Sequence, residues 1–162
     1  MKRTFFPLIA IAVLVVCIPV SSGRTQINQK TKQASGRDAE IIAAVRAILD
    51  AQKNAWNRGD IEGFMDGYER SPNIVFLSGD NVSRGWQTVH DRYQKNYNSR
   101  EKMGTLEFSD IEVNVVSKDT AVMIGRWHLA RANDEPHGRF TLIFRKTKQG
   151  WRIVHDHTSS AV

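Results

Sequence analysis

The amino-acid sequence predicts an α+β fold in which one curved antiparallel sheet wraps around three N-terminal helices. A change of hydrophobic period predicts it. Between Asp38 and Tyr97 most apolar residues recur at the 3.6-residue spacing of helices, and from Gly104 onward they alternate with a period of two, as in strands. The chain has 162 residues, of which 41% are hydrophobic and 25% are charged. These values suit one globular domain and exclude disordered, collagen-like and coiled-coil proteins.

The N-terminus has the pattern of a signal peptide. A positively charged start is followed by an apolar run over residues 5–20 and by small residues at 21–23. The run is shorter than the ~20 apolar residues that a membrane-spanning helix needs. The sequence therefore predicts a signal peptide over residues 1–23, a flexible tether over residues 24–37 and one domain over residues 38–160. The protein is expected to be exported, to the periplasm or the extracellular space.

Charge and cysteine content narrow the possible partners. The formal net charge is +6, and removing Lys2 and Arg3 of the predicted signal peptide leaves 21 of the 23 basic residues against 17 acidic ones. This weak positive charge, without a basic stripe interleaved with aromatic residues, predicts no nucleic-acid binding. No membrane association is expected after signal cleavage. Cys17, the single cysteine, lies in the predicted signal peptide, so the mature chain has no thiol for a disulfide, a metal or a nucleophile.

Three helices are predicted in the first half of the domain. The first begins near Asp38 and ends at Gly59, which suits a helix C-terminus. Asp60 can cap a short second helix, which is stopped at Pro72. The third follows Gly85. Its apolar stripe consists of Trp86, Val89, Tyr93 and Tyr97.

The strands are predicted from period-two patterning and turn residues. A hairpin is expected between residues 74–77 and 82–83, because Ser78-Gly79-Asp80-Asn81 favours a turn. Four longer strands, over residues 105–117, 120–132, 139–147 and 151–158, are joined by short turns and should form an antiparallel meander. In the first of them the apolar residues move from even to odd positions near Ser109-Asp110. This phase slip predicts a β-bulge, and bulges bend strands.

Several short motifs carry a resemblance to a known family. They are Ala55-Trp56-Asn57-Arg58-Gly59-Asp60, Gly85-Trp86, Gly125-Arg126-Trp127-His128, the run from Gly138 to Arg145, and the run from Gly150 to Ser159. The chain resembles the SnoaL-like branch of the nuclear transport factor two-like superfamily over residues 38–160, and more closely its uncharacterised exported members, related to the calmodulin-dependent kinase association domain. The resemblance implies a cystatin-like cone with a pocket at its wide end, in a homodimer.

The same resemblance lets this sequence be checked for the catalytic residues of one activity known in the superfamily. Members that resemble ketosteroid isomerase use a carboxylate late in the first strand, together with a tyrosine and a protonated carboxylic acid. Here the strand over residues 74–77 has no carboxylate, Gln52 stands near the tyrosine position, and Leu142 stands near the second acid position. The isomerase mechanism is therefore not predicted for this chain.

The string His155-Asp156-His157 is the most reactive pattern in the sequence. Residues two apart on a strand share a face, so the two imidazoles could grip one ion or one substrate. No third ligand is set by spacing, and no metal site is predicted. Either these histidines are hydrogen-bonded on a sheet face, at a dimer contact, or they line the pocket as acid, base or ligand contacts. The length of the turn at residues 148–150 leaves the register open.

Further candidates lie on the helices and on the strand of Arg126. Arg126 and His128 share one face of that strand, opposite Trp127, and either face could be the concave one. Tyrosine hydroxyls need partners when buried, which favours the mouth of a pocket. The candidate ligand-binding residues are Tyr68, Trp86, Tyr93, Tyr97, Arg126, His128, His155 and His157.

Three functional hypotheses follow from these residues. The leading one is an exported protein that binds a small, partly apolar organic ligand in the cone, without a cofactor. The alternative is a cofactor-independent isomerase, dehydratase or hydrolase with His128 or His157 as its acid or base. The third is a dimeric assembly module without a ligand.

Overall fold

The computed structural model of the chain describes the backbone of residues 22–161 and the side chains of residues 35–161. The chain forms two units, Met1–Gln33 and Ala34–Val162, and the sheet and its core belong to the second. Residues 1–21 of the predicted signal peptide lie outside the described range. Within the described part of the chain, no helix is both long enough and apolar enough to cross a membrane.

Ten elements follow one another in the order that the sequence predicts, with one short helix added. The helices are α1 (Ser22–Arg58), α2 (Ile61–Met65), α3 (Trp86–Asn96) and α4 (Arg100–Met103). The strands are β1 (Val75–Ser78), β2 (Asn81–Arg84), β3 (Thr105–Ser117), β4 (Thr120–Ala130), β5 (His137–Thr147) and β6 (Gly150–Thr158). The α+β prediction is confirmed. The four-residue α4 was not predicted, because so short a helix leaves no periodic signal.

The first helix boundary follows from two residues that the sequence singles out. Gly59 has a φ of 83°, in the left-handed region that glycine adopts without strain, and α1 ends at the preceding residue. Asp60 then caps α2, because its carboxylate accepts a hydrogen bond from the backbone N–H of Gly63 at 2.8 Å. These two devices turn the chain sharply and place α2 beside α1.

The N-terminal start of α1 differs from the sequence prediction. The backbone of residues 24–37 is helical, whereas a flexible tether was expected there. The segment contains no proline, and its glutamine and lysine residues have good helix propensity, so the helix continues on the N-terminal side of Asp38. The division into signal peptide, tether and domain stays a prediction.

The six strands form one open sheet in the order β2-β1-β6-β5-β4-β3. The predicted β1–β2 hairpin and the β3-β4-β5-β6 meander are confirmed, and all neighbours are antiparallel except β1 and β6. The parallel β1–β6 pair joins the N-terminal hairpin to the end of the chain. It therefore brings residues around Phe76 next to residues around Asp156.

The predicted bulge in β3 is confirmed. The pairing with β4 moves from Ser109 opposite Arg126 to Glu112 opposite Ile124, so one strand advances three residues and the other two. Asp110 takes up the extra residue with a φ of 52°. The bulge places Ile111, Val113 and Val115 on the same concave face as Leu106 and Phe108, whereas Val116 is exposed.

The helices pack on that concave face, and α1 is tied to β3 by polar contacts. The Asn57 side-chain N–H donates to the Leu106 carbonyl at 3.1 Å, and the Asn57 side-chain oxygen accepts from the Leu106 backbone N–H at 2.7 Å. Arg46 donates to the carbonyl of Ile111, just beyond the bulge, at 2.7 Å. The largest fully buried side chains lie between the two layers: Val45, Met65, Ile74, Val89, Met123, Phe144 and Ile153.

Candidate functional site

A cavity of about 120 Å³ lies between the helices and the concave face of the sheet. Five aromatic residues on or next to the helices line it, together with four other residues of α1 and α3: Trp56, Phe64, Tyr68, Tyr93 and Tyr97, with Leu49, Gln52, Arg92 and Asn96. Phe76, Phe108, Trp127 and Phe140 line it from the strands. The volume is close to that of the ~150 Å³ apolar cavity that takes up benzene in an engineered protein. The space therefore suits a small organic molecule.

The aromatic rings pack against one another and give the cavity a defined shape. The Trp56 ring centroid lies 4.7 Å from that of Tyr97 and 5.1 Å from that of Phe64, both in edge-to-face geometry. Tyr93 lies 5.0 Å from Phe64 and 5.8 Å from Phe76. These edge-to-face and tilted contacts are the arrangements that aromatic pairs prefer, and they set the angle of each ring in the wall.

Asp156 is the one carboxylate among the described residues that line the cavity. The Tyr68 hydroxyl donates to its Oδ2 at 2.6 Å, and the Thr158 hydroxyl donates to its Oδ1 at 2.6 Å. Burial raises the pKa of Asp156 from its ordinary 3.8 to about 6, while the hydrogen bonds from Thr158 and Tyr68 and the charge of His157 act in the opposite direction. No arginine or lysine pairs with this carboxyl among the described residues, so burial prevails.

The two tyrosines nearest this carboxyl stay protonated over the physiological range. Burial, and then the charge of Asp156, raises the pKa of Tyr68 well above its ordinary value. The same two causes, in the same order, raise the pKa of Tyr93. The Tyr68 hydroxyl therefore keeps the proton that it donates to Asp156, and the Tyr93 hydroxyl keeps a proton that it can donate.

A bulge in β6 explains why Asp156 faces the cavity. The turn between β5 and β6 has two residues, since Thr147 pairs with Gly150. A regular ladder from that turn would put His155 opposite Leu142, whose side chain lines the cavity. Instead the pairing shifts between Ile143 and Phe144, and Asp156 lies opposite Leu142.

The extra residue of this bulge is Val154, and a second backbone contact accompanies it. Ile153 exchanges hydrogen bonds with the segment after α2: its N–H donates to the Gly67 carbonyl at 2.9 Å, and its carbonyl accepts from the Glu69 N–H at 3.0 Å. Beyond Val154, β6 pairs with β1. The change of partner coincides with the bulge and sets Tyr68 beside Asp156.

Of the residues that the sequence predicts for ligand binding, three line the cavity: Tyr68, Tyr93 and Tyr97. Tyr68 is buried at depth, 3% exposed, and not at the mouth where tyrosines were expected. Trp86 lies elsewhere, with its indole N–H donating to the Met65 carbonyl at 3.2 Å and its ring stacked on His90. Trp86 therefore links the first turn of α3 to the end of α2 and does not line the cavity.

The other four candidates do not line the cavity: Arg126, His128, His155 and His157. Arg126 and His128 alternate with Gly125, Trp127 and Leu129, which face the concave side, so both point to the convex face of the sheet. The bulge at Val154 places both histidines of β6 on that same convex face. This is a correction to the interpretation of His128 or His157 as a pocket acid or base, and Asp156, between the two histidines, takes the place expected for them.

The positions compared with ketosteroid isomerase do line the cavity. Gln52 and Leu142 both contribute to the wall, and β1 contributes Phe76 and Ser78. The Gln52 amide donates to the Phe64 carbonyl at 2.9 Å, which makes it a packing residue between α1 and α2. The acid of this cavity thus comes from the last strand. Within residues 35–161, no three histidine, cysteine or carboxylate side chains are grouped so that they could hold a metal ion.

The arrangement supports two kinds of contact with a bound molecule. Protonated Asp156 can donate a hydrogen bond to a carbonyl oxygen, and ionised Asp156 can accept one from a hydroxyl or take up a proton. A carboxyl with a pKa of about 6 exchanges between these forms near neutral pH. The rings beside it supply an apolar surface for the rest of the molecule.

The fold and the cavity define a cone of the cystatin-like, nuclear-transport-factor-2-like class, and solved structures of that class are similar to this chain. An NTF-2-like protein of unknown function from Shewanella oneidensis is 36% identical, with a TM-score of 0.70 over 73% of this chain and 98% of that one. A cystatin-like domain from Nostoc punctiforme is 20% identical, with a TM-score of 0.63 over 74% and 76% of the two chains. A ketosteroid isomerase-like protein from Erwinia carotovora is 20% identical, with a TM-score of 0.60 over 74% and 95%.

The family itself is given by the sequence match. The model of the SnoaL-like domain matches residues 45–162, and this chain belongs to that family. Among curated proteins, none matches the chain. The predicted resemblance to the SnoaL-like branch is thus confirmed, whereas the relation to exported members and to the kinase association domain stays a prediction.

Proposed function

We propose that this protein binds a small, partly apolar organic molecule in the aromatic cavity and orients it by a hydrogen bond to Asp156. The observation that carries the proposal is a buried carboxyl, 4% exposed, in the wall of a cavity that is otherwise lined mostly by aromatic residues and leucines. A buried carboxyl with a raised pKa is costly to maintain, so its place in a cavity favours a functional role. The Tyr68 and Thr158 hydroxyls occupy one acceptor site on each oxygen and leave others free.

The proposal predicts selective binding of phenol over toluene. The two molecules have nearly the same shape, but only phenol can hydrogen bond to Asp156. The wild-type protein should bind phenol about tenfold more tightly, the effect of one buried hydrogen bond of ~1.4 kcal/mol. Asp156→Ala should remove the preference while toluene still binds. Chemical-shift titrations by NMR measure both affinities and locate the site.

His157→Ala is the matched control, because His157 is the next residue on the same strand and points to the convex face. This variant should bind both compounds as the wild type does and unfold within about 0.5 kcal/mol of it, as expected for an exposed side chain away from the site. Failure of both phenol and toluene to bind the wild type at millimolar concentration would refute the proposal. Equal loss of phenol binding in His157→Ala and Asp156→Ala would refute the role of Asp156.

A second candidate function is proton transfer to or from the bound molecule by Asp156. The observation that favours it is the pKa of about 6, which lets the same carboxyl act as base and as acid near neutrality. One neighbour of this fold is described as ketosteroid isomerase-like, although an identity of 20% carries the fold alone. Deuterium uptake by 2-cyclohexenone in heavy water tests this function. Wild-type protein should accelerate the exchange, and Asp156→Asn should not. Equal exchange rates with both proteins would refute proton transfer by Asp156 and leave ligand binding as the proposed function.

We also propose that the protein is exported and forms a homodimer through the convex face of the sheet. Val116 on β3 and Ile124 on β4 are large exposed hydrophobic residues, 59% and 41% exposed, and Ile124 stands on that face beside Arg126. A second copy of the chain would remove these apolar side chains from water, and this burial would stabilise the dimer. Light scattering at micromolar concentration tests the dimer, since a strict monomer would refute it. The intact mass of the secreted protein tests the export.

A further inference from the structure

The cavity wall contains one cationic side chain among the described residues, Arg92 on α3. Its guanidinium carbon lies 5.2 Å from the ring centroid of Phe76 and is half-buried there. A guanidinium stacked on a ring by its face keeps its N–H groups free at the edge, where they can bind a planar acceptor.

Arg92 differs from the other stacked arginines of the described chain in having no acidic partner. Arg70 stacks on Trp86 and pairs with Asp66 at 3.4 Å. Arg131 stacks on Tyr97 and pairs with Asp134 at 3.5 Å. Within residues 35–161, no carboxylate lies within salt-bridge distance of Arg92, and no side chain or carbonyl accepts a hydrogen bond from it. Among the three stacked arginines, Arg92 is therefore the one without an acidic partner in the described chain.

Arg92 and Asp156 are separated within the cavity. Both line it, yet they form no ion pair, although an ion pair would be the favourable arrangement if they could meet. Phe76 is next to both, since it pairs with Asp156 across the β1–β6 ladder and its ring centroid lies 5.2 Å from the Arg92 guanidinium carbon. Burial and the charge of Asp156 raise the pKa of Tyr93, the ring next to Phe76, and the charge of Arg92 acts in the opposite direction. The cavity thus has an acid at one place and a cation at another, with aromatic rings between.

The end that contains Arg92 is the mouth of the cavity. Asn96 follows Arg92 by one helical turn, lines the cavity and is exposed. Ser160, just after β6, also lines the cavity and is exposed. Asp156, in contrast, is buried. A charged group of a ligand would keep part of its hydration at the mouth and lose all of it beside Asp156.

We infer that the ligand is a small planar carboxylate, held by Arg92 and Asn96 at the mouth, with a hydroxyl or carbonyl group at its other end directed to Asp156. A guanidinium binds a carboxylate through two parallel hydrogen bonds, and such charge-assisted bonds are stronger in a partly desolvated site. The aromatic wall between the two ends contacts the flat body of the molecule. This inference rests on the proposed function and specifies the class of ligand for the same site.

The test compares 4-hydroxybenzoate with 4-hydroxybenzamide, which has the same shape and no charge. At pH 7 the wild-type protein should bind the carboxylate at least about tenfold more tightly than the amide. Arg92→Gln should bind the two compounds equally, and its circular dichroism spectrum, compared with that of the wild type, shows whether the variant is folded. Arg126→Gln removes the same charge from the convex face and should retain the wild-type preference. Isothermal titration calorimetry measures all six affinities.

The outcomes separate this inference from the proposed function. Equal binding of both compounds by the wild type would overturn the carboxylate inference and leave the cavity as a binding site. A preference that persists in Arg92→Gln would overturn the role of Arg92 in the same way. Binding of neither compound, together with no binding of phenol, would overturn the proposed function itself.

Discussion

Replacing Phe144 by alanine should lower the free energy of unfolding by ~3–5 kcal/mol, the usual effect of removing a buried phenylalanine side chain. Phe144 lies on the inner strand β5 and is fully buried. It pairs with Ala121 on β4 and with Ile153 on β6, so the space left by the ring is enclosed by strands on both sides. The ladder hydrogen bonds keep those strands from closing the gap.

Urea denaturation followed by tryptophan fluorescence measures this loss. Arg145→Ala is the matched control, because Arg145 is the next residue on β5 and is exposed; its effect should stay within about 0.5 kcal/mol. Since native domains are stable by only ~5–15 kcal/mol, Phe144→Ala can be partly unfolded, and Phe144→Leu then provides a smaller loss in the same direction. A loss below 1 kcal/mol for Phe144→Ala would contradict the enclosed position of this ring. Phe144 does not line the cavity, so phenol should still bind to the folded fraction.

The order of the elements could be predicted because each one leaves a local signal in the sequence. Gly59 and Asp60 mark the α1–α2 boundary, and the Ser78–Asn81 turn marks the β1–β2 hairpin. The β3 bulge could be predicted as well. Apolar residues on both sides of Ser109 show the phase of the strand before and after the slip.

The bulge in β6 left no such signal, although it decides the site. Trp151 and Ile153 show the phase before the slip, but the residues after Val154 are polar on both faces of the strand. Hydrophobic alternation therefore cannot tell whether His155 or Asp156 is inside. The adjacent apolar pair Ile153-Val154 is the remaining hint, since a regular strand with one buried face would alternate there.

The long-range pairing that causes this bulge is also invisible to local patterns. Ile153 pairs with the Gly67–Glu69 segment, and β6 then pairs in parallel with β1, across more than half of the domain. The sequence predicts Tyr68 as a ligand contact, and Tyr68 does line the cavity, but the position of the acid beside it follows from that pairing alone. The three wall tyrosines were accessible to sequence reasoning because a helix or its end fixes their face.

The buried carboxyl predicts an unusual pH dependence of stability. Burial raises the pKa of Asp156 from 3.8 in the unfolded chain to about 6 in the folded protein, so between these pH values the folded state holds a proton that the unfolded state has lost. Stability from this group is therefore fully present below about pH 4 and is lost as the pH rises through 6. Because one pKa unit corresponds to ~1.4 kcal/mol, the loss should reach about 3 kcal/mol at pH 7.

Asp156→Asn isolates this contribution, because asparagine resembles the protonated acid in shape and does not ionise. The variant should lack the loss, and the difference in unfolding free energy between wild type and variant should change by about 3 kcal/mol between pH 4 and pH 7 in favour of the variant. Tyr68→Phe supplies the opposite sign: the Tyr68 hydrogen bond lowers the pKa of Asp156, so its removal should make the loss larger and extend it to higher pH. Parallel pH profiles for wild type and Asp156→Asn from pH 4 to 8 would show that Asp156 is hydrated. In that case the acid could not hold a proton near neutral pH, and the proton-transfer function proposed for the cavity would lose its basis.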